Sequence, residues 1–389
     1  MSGEPMHADD AESVNSRPGF GLLVGSVAAG AGVAWLARAA RGLPTSIGAT
    51  VADIRPYAAG SPRYRDDRFH NTEPSHPLGP EQSGGFVRDL LTRRALGTPA
   101  GRVPLAPYLA PVESTGLAVT WFGHSSVLVE IDGHRVLADP VWGERVSPSR
   151  TVGPSRLHPA PVELAMLPPI DAVVISHDHY DHLDRFTVET LAATQPDARF
   201  VVPLGVGAHL RRWRIPHDRI VELDWDERTE IGSLTLTCTE ARHFSGRGLL
   251  RDITLWSSWV LRGPTHSVFF GGDSGYTRRF ADVGEKYGPF DLTLLPIGAY
   301  DRRWPDIHMN PEEAVRTHLD LGGIDRPGSL LVPVHWGTFN LAFHSWSEPV
   351  DRLLPAAADA AVVTAVPMPG QRIDVTRPAP TDLWWTELQ

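Results

Sequence analysis

The chain has 389 residues, 42% of them hydrophobic and 21% charged, with a formal net charge of −10 at pH 7. This length buries a substantial core in one large or two modest domains, and the acidic balance argues against a nucleic-acid groove, which needs surplus Lys and Arg. The single cysteine, Cys238, excludes intramolecular disulfides and thiolate zinc clusters, and its strand-like surroundings read as core.

Residues 1–18 are polar and acidic, with Glu4, Asp9, Asp10 and Glu12, and read as a disordered tail. Residues 19–37 carry no charge and are just long enough to cross a bilayer as a helix. They are rich in Gly and Ala, so three states stay open: a spanning anchor, a helix lying on a membrane or on the domain, and a flexible tail. The acidic leader argues against a cleaved signal peptide. Arg38 and Arg41 follow the stretch and Arg17 alone precedes it, so a spanning helix leaves the bulk of the protein on the cytoplasmic face of the membrane. Without insertion the expected location is cytoplasmic.

The chain divides into this N-terminal region (1–45), a Pro-, Gly- and Arg-rich stretch (46–115) and a catalytic domain (116–389). The middle stretch has too few apolar residues for its own core and reads as an extension wrapped on the main domain. Residues 86–96 are expected to form one helix, with Phe86, Leu90 and Leu91 on a face. From Leu117 the pattern changes to strands and turns. Strands are expected at 118–122, 126–131 and 135–138, with Asp132-Gly133 as a hairpin turn between the last two. A Pro-rich loop follows, from about Trp142 to Pro169. The β-branched run 172–175 is a buried strand, and Asp184 caps a helix carrying Phe186, Val188 and Leu191. Further strands are expected at 200–204, 234–239 (with threonines outward), 256–261, 267–270, 292–296 and 330–334. Helices are expected at 207–214 and from Asn310-Pro311-Glu312-Glu313, where Pro and acids suit a first turn. Strands alternating with helices, but with hairpins included, predict two mixed sheets with helices outside.

The stretch Ser176-His177-Asp178-His179-Tyr180-Asp181-His182-Leu183 holds three histidines and two aspartates on the turn where a strand ends. His243, Asp273 and His335 each follow another strand-like run. Imidazole with carboxylate suits zinc and its first-row neighbours. The seven candidates His177, His179, Asp181, His182, His243, Asp273 and His335 exceed the needs of one ion and suit two. Alternation along an extended turn sends His177 and His179 to one metal, and Asp181 and His182 to the other. Asp273, after Gly271-Gly272, is the natural bridge. Two dications, less two carboxylates and a bridging hydroxide, leave roughly one positive charge, which attracts a phosphodiester or a developing oxyanion. The metals lower the pKa of bound water from 15.7 to roughly 7. Arg247 reads either as a phosphate clamp or as a surface arginine. Trp304, Trp336 and Phe339 either line an apolar substrate pocket or pack in the core. His124 is either a support for the ligands or a structural histidine. His158, His209, His217, His318 and His344 receive no role.

The H-x-H-x-D-H pattern, with His243, Asp273 and His335 after it, resembles the metallo-β-lactamase fold superfamily. More narrowly, Trp121-Phe122-Gly123-His124-Ser125, Ala138-Asp139-Pro140, Gly272-Asp273-Ser274-Gly275, His308-Met309-Asn310-Pro311-Glu312-Glu313-Ala314 and His335-Trp336-Gly337-Thr338-Phe339 are similar to the N-acyl phosphatidylethanolamine phospholipase D-like group. Arg68-Phe69-His70-Asn71 is similar to that group's N-terminal extension. The resemblance implies an αββα sandwich, with His177, His179 and His243 on a first zinc, Asp181, His182 and His335 on a second, and Asp273 between them. It also implies that His308 contacts the scissile group, and that Asp139 hydrogen-bonds near the metals or holds a structural turn. Two positions depart from the pattern. Ile307 stands where the animal phospholipase carries a polar amide. Asp178 stands where asparagine is more usual, and reads as a solvated side chain or as a support for a ligand imidazole.

The expected function is hydrolysis of a phosphodiester in an N-acyl phosphatidylethanolamine-like phospholipid by a metal-bridging hydroxide, with Asp181, Asp273 and His308 catalytic and His308, Arg247 and Trp336 against the substrate. The expected cofactor is two zinc ions, with other first-row divalent metals as alternatives. A lactonase or other carboxylic ester hydrolase uses the same ligand set. A nuclease is disfavoured by the charge, and a non-catalytic metal-binding membrane protein by the two-metal ligand count. The oligomeric state leaves no mark in the sequence.

Overall fold

The computed structural model describes residues 38–75, 88, 89, 92, 94–110, 116–326, 328–378 and 381–389. Residues 1–18 and 19–37 lie outside the described residues, as do Phe86, Val87, Leu90, Leu91 and Arg93 of the helix expected at 86–96; Arg88, Asp89 and Thr92 are helical and Arg94–Gly97 is a 3₁₀ turn. Among the described residues no helix is long and apolar enough to cross a membrane.

A short hairpin, β1 (Tyr64–Arg65) and β2 (Arg68–Phe69), precedes the two main sheets. The first sheet takes β3 (Leu117–Gly123), β4 (Ser126–Ile131), β5 (His134–Ala138), β6 (Ala172–Val174), β7 (Arg199–Pro203) and β8 (Ile220–Leu223). The second takes β9 (Arg228–Ile231), β10 (Leu234–Thr239), β11 (Ser258–Arg262), β12 (Ser267–Phe270), β13 (Leu292–Pro296), β14 (Leu330–Val334) and β15 (Val363–Thr364). The last strand, β16 (Arg372–Asp374), returns to the first sheet, giving the order β16-β3-β4-β5-β6-β7-β8 against β15-β14-β13-β12-β11-β10-β9. Each sheet has an antiparallel half and a parallel half, the change falling at β5 and at β12. Parallel strands need covered faces, and the helices supply the cover. Val188, Leu191 and Leu210, from the Arg185–Thr194 and Val206–Arg212 helices, pack with Leu128, Val173 and Phe200 on the outer face of the first sheet. Between the sheets, Val119, Trp121 and Val129 share one apolar cluster with Leu236, Cys238 and Phe269. This is the αββα sandwich expected from the sequence.

The helix starts follow the local chemistry. Asp184 accepts from the amides of Phe186 and Thr187, and Asn310 forms a capping box with Glu313. Two expectations need correction. Thr237 and Thr239 of β10 are buried, because both faces of that strand are covered. Trp256 and Ser257 belong to the loop before β11, and Trp256 Nε1 donates to Ala241 O. The helices Leu43–Ile47, Arg279–Tyr287 and Glu348–Asp359 went unforeseen, and so did one with a visible signal: Thr50 and Asp53 make a capping box that starts Val51–Ala58. Its Ile54 and Ala58, with Phe69 and Val103, are buried in the same cluster as the sheets.

Ile54 is fully buried on a short helix that has little intrinsic stability. Ile54→Ala is therefore expected to cost about 2–5 kcal/mol in urea unfolding; a cost below about 0.5 kcal/mol would mean that the helix is not integral to the core.

Candidate metal centre

Both sheets deliver their chemistry at one edge. Asp139 follows β5, His177 to His182 follow β6, His243 follows β10, Asp273 follows β12, His308 lies in the loop after β13, and His335 follows β14. The turn after β6 is closed by amide bonds from His182 and Leu183 to the carbonyl of His179. His335 holds φ 60 and Gly272 φ 57 at their strand ends. A Cβ on Gly272 would lie 2.5 Å from Ser176 Cβ, so only glycine lets the β12 end approach the β6 turn.

The seven sequence candidates converge. His177 Nε2 lies 2.7 Å from His179 Nδ1, which lies 3.4 Å from His243 Nε2. Asp181 Oδ2 lies 3.6 Å from His182 Nε2 and 3.5 Å from His335 Nε2. Asp273 Oδ2 joins the two sets, 3.1 Å from His182 Nε2, 3.0 Å from His335 Nε2 and 3.8 Å from His243 Nε2. His308 Nδ1 is 3.8 Å from the same oxygen. These ligand atoms fall into overlapping groups able to hold a metal ion.

The donor set fits metal on evidence of its own. His182 Nε2, His335 Nε2 and Asp273 Oδ1 are buried and make no hydrogen bond. Three such orphans, two of them imidazole nitrogens and the third on the carboxylate they share, are costly unless a cation satisfies them. The electrostatics agree. Burial pushes the His335 imidazole down, but Asp273 and Asp181 raise it to about 9. Burial likewise opposes protonation of His182, yet Asp273, Asp181 and Asp139 carry it well above the usual range. His177 goes the other way: burial and the neighbouring His182 and His179 hold it well below. Asp273, despite burial, is kept well below the ordinary carboxylate range by His182 and His335. Positive charge on this side of Asp273 is what these carboxylates favour, and a bound cation would supply it.

The ligands are held from behind. Asp139, fully buried, accepts from His182 Nδ1 at 2.7 Å and from the Ser176 amide at 2.7 Å. The second nitrogen of His177 meets Ser176 Oγ at 2.9 Å, and that of His243 meets the Ile307 carbonyl at 2.8 Å. These contacts turn Nε2 of each ring toward the centre. His124 Nε2 lies 3.0 Å from Asp181 Oδ2 and so supports that carboxylate. Asn71 brackets the backbone of His243, its amide donating to the carbonyl at 2.7 Å and its oxygen accepting from the N–H at 3.2 Å. The sequence had marked Asn71 only through its neighbours' resemblance to a family extension.

Three side chains differ from expectation. Arg247 is not a phosphate clamp. It is buried, and its guanidinium donates to the carbonyls of Asp178, Leu183 and Ser46, with Tyr180 stacked at 4.0 Å. Four of its five N–H groups are spent on these carbonyls, and it does not line the metal cavity. Trp336 does not face substrate either. The turn at His335 sends it into a tryptophan cluster, stacked on Trp121 with ring centroids 5.7 Å apart. Asp178 is not solvated: it is fully buried, accepts from the Gly246 amide at 2.7 Å, and lies 3.3 Å from His209 Nε2. His209 and Arg247 hold its pKa down to about 2 against the effect of burial. No local pattern pointed to His209, which comes from a distant helix.

A cavity of about 200 Å³ opens over the centre, with Asp181, Asp273, His308 and His335 at its floor and Phe244, Trp304 and Leu341 on its walls. Arg251, which the sequence reading passed over, stands at its mouth with its guanidinium 4.9 Å from the Phe244 ring. His308 is held down to about 4, chiefly by burial, and is therefore neutral at pH 7.

A sandwich of two mixed sheets with a histidine–aspartate centre at one edge defines a metal-dependent hydrolase of the metallo-β-lactamase fold. The chain matches the Beta-lactamase superfamily domain over residues 134–336, more than half its length, and it belongs to that superfamily, in the N-acyl phosphatidylethanolamine phospholipase D-like group. It is 55% identical to an uncharacterised protein of Mycobacterium tuberculosis over 372 residues, 95% of this chain and 99% of that one. It is 38% identical over 251 residues to N-acyl-phosphatidylethanolamine-hydrolyzing phospholipase D 1 of Caenorhabditis elegans, covering 61% of this chain and 69% of that one. Among solved structures, a possible metal-dependent hydrolase from Veillonella parvula superposes with a TM-score of 0.51 at 17% identity, over 67% of this chain and 99% of that one. That likeness speaks to the fold alone.

Two outcomes test the centre. Because the surrounding carboxylates raise the His335 and His182 imidazoles above their usual range, zinc uptake at pH 7 is expected to release protons. Apparent affinity should rise by about one to two decades per pH unit between pH 6 and 8. Calorimetry in buffers of different ionisation enthalpy reads the release directly, and zero release would contradict the raised pair. Asp139→Asn, which weakens the contact behind His182, is expected to lower metal affinity roughly 10–100-fold in competition with a chelator; unchanged affinity would reduce Asp139 to a turn residue.

Proposed function

We propose that the protein is a two-zinc phosphodiesterase that removes the alcohol headgroup from a phospholipid of N-acyl phosphatidylethanolamine type. The observation that carries this reading is the meeting of two ligand sets at Asp273 Oδ2, beneath a cavity that also exposes His308. His177, His179 and His243 would hold one ion; Asp181, His182 and His335 would hold the other, with Asp273 shared. Bound there, zinc would supply Lewis acidity to a phosphoryl oxygen and a water acidified to a pKa of roughly 7.

The chain does the rest. Asp181 and Asp273, kept ionised by the imidazoles beside them, orient the attacking water. Water oxygen adds to phosphorus as the P–O bond to the headgroup alcohol breaks. The water's proton ends on the departing alcohol, and His308 is the cavity imidazole outside the seven ligands that can carry it. Phe244, Trp304 and Leu341 give the cavity apolar walls, which suit an acylated headgroup. The lipid class is supported by the 38% identity to the Caenorhabditis elegans phospholipase. A lipid substrate in turn puts the working protein at a membrane surface, the cytoplasmic one by the arginine count around residues 19–37.

The test is turnover of bis(p-nitrophenyl) phosphate and of N-acyl phosphatidylethanolamine by zinc-loaded full-length protein. His308→Ala is expected to lower kcat roughly 10²–10⁴-fold with metal content unchanged, and Asp273→Ala to abolish both two-metal occupancy and turnover. Full turnover in Asp273→Ala would sink the two-metal scheme. Hydrolysis of lactones or carboxylic esters, with no action on either phosphodiester, would move the assignment to that class.

A further inference from the structure

Above its ligands the metal cavity is apolar with one exception. Phe244, Ala299, Trp304, Ile307 and Leu341 form the walls, and Arg251 is the charged side chain among them. Its guanidinium lies 4.9 Å from the Phe244 ring, and that ring lies 4.5 Å from the imidazole of His179. A single aromatic ring therefore separates the cation from a candidate ligand. The backbone beside Arg251 is fixed: the Asp252 amide donates to Ser245 O at 3.0 Å, and the Phe69 amide donates to Asp252 O at 2.7 Å. Three other arginines near the centre are committed. Arg242 pairs with Asp306 at 3.0 Å and donates to Pro74 O, Arg303 is buried against Asp301 and Asp89, and Arg247 donates to carbonyls. Arg251 is exposed, and among the described residues its guanidinium has no ion pair or hydrogen bond, only the Phe244 ring beside it. The adjacent carboxylate, Asp252, lines a separate cavity with Arg65, Asn71 and His243.

We propose that Arg251 is a specificity-determining residue that binds a carboxylate on the substrate. The phosphodiester sits at the floor beside the ligands, an apolar spacer about as long as one ring lies along Phe244, and the carboxylate meets the guanidinium at the mouth. The proposal rests on the phosphodiesterase reading and narrows its substrates to diesters with one acidic arm. Three features favour it. A guanidinium at the end of an apolar passage is screened less than one in open water, so charge pairing there discriminates between substrates. Its planar fork matches one carboxylate through two parallel hydrogen bonds. A second phosphate on the substrate, with its greater charge, would call for a further cation, and the walls hold none. Finally, the formal net charge of −10 gives the chain no general attraction for anions, so a local cation is what would draw an acidic arm to this mouth.

The experiment uses full-length, metal-loaded protein and two p-nitrophenyl phosphodiesters that differ only in the second arm, p-carboxyphenyl or p-carbamoylphenyl. The wild type is expected to prefer the acid by roughly 5–30-fold in kcat/KM at low ionic strength, with the preference shrinking as salt is added. Arg251→Gln is expected to bring that ratio to about one or below, and Arg251→Lys, which keeps the charge but not the fork, to retain part of it. A ratio near one in the wild type would overturn the proposal, and so would a preference that survives Arg251→Gln. A merely structural role would lower turnover of both diesters alike and leave the ratio standing. Calorimetry with p-carboxyphenyl phosphate and p-carbamoylphenyl phosphate makes the same comparison by binding alone. If neither diester is cleaved, the phosphodiesterase reading fails. Tighter binding of the acid, abolished in Arg251→Gln, then still decides for Arg251, and equal binding of the two, or none, decides against it.

Discussion

A carboxylate taken out of water needs a cation, and Asp273 is such a carboxylate. It is 2% exposed, one oxygen has no hydrogen-bond partner, and the other lies within 3.0–3.8 Å of four imidazole nitrogens. Desolvating it uncompensated would cost several kcal/mol. Asp139 stands on the far side of His182, so that one imidazole is held between two buried carboxylates. The arrangement is stable only with positive charge at its centre, whether protons on His182 and His335 or metal ions. The geometry of both sheets converges on satisfying it. The strand ends that supply the ligands lie along a single edge, and Gly272 lets the second sheet's contribution press against the turn from the first.

Much of this was legible in the sequence because it is local. Three histidines and two aspartates in six residues carry their own chemistry, and a β-branched run before them announces the strand that presents them. His243, Asp273 and His335 were legible because each follows an apolar run of strand length. What stayed hidden depends on contacts between distant segments. An arginine four residues past a ligand histidine looks the same whether it faces phosphate or the carbonyls of Ser46 and Leu183. Only the fold reveals that Arg247 spends its donors on backbone. Asp178 was misread for the same reason, since its partner His209 lies on a helix that no spacing rule connects to it. The buried threonines of β10 mark a further limit: alternation locates a strand but does not tell whether its polar face meets water or another layer.

Arg247 gains a different meaning from this placement. A buried guanidinium bonded to three carbonyls is a rigid joint, since removing it would leave those acceptors without their partner. It ties together the turn bearing His177 to His182, the loop descending from His243, and the Leu43–Ile47 helix. The Leu43–Ile47 helix and the metal-binding turn are thereby joined through one side chain.

The N-terminal extension has a share in the centre that its weak sequence pattern conceals. The superfamily match covers residues 134–336, yet the backbone of His243 is held by Asn71, which lies outside it. Asn71 also accepts from Trp256 Nε1, joining the ligand loop to the approach of β11. From the same side, Ala49 donates to His209 Nδ1, and His209 in turn faces Asp178 inside the metal-binding turn. The sandwich alone thus presents the ligands, while the extension fixes two of the loops that carry them. A ligand placed on a loop is only as well positioned as the contacts behind it, and here those contacts come from Asn71 and Ala49. Asn71 and Ala49, both outside the matched residues, are therefore part of the architecture of the metal centre.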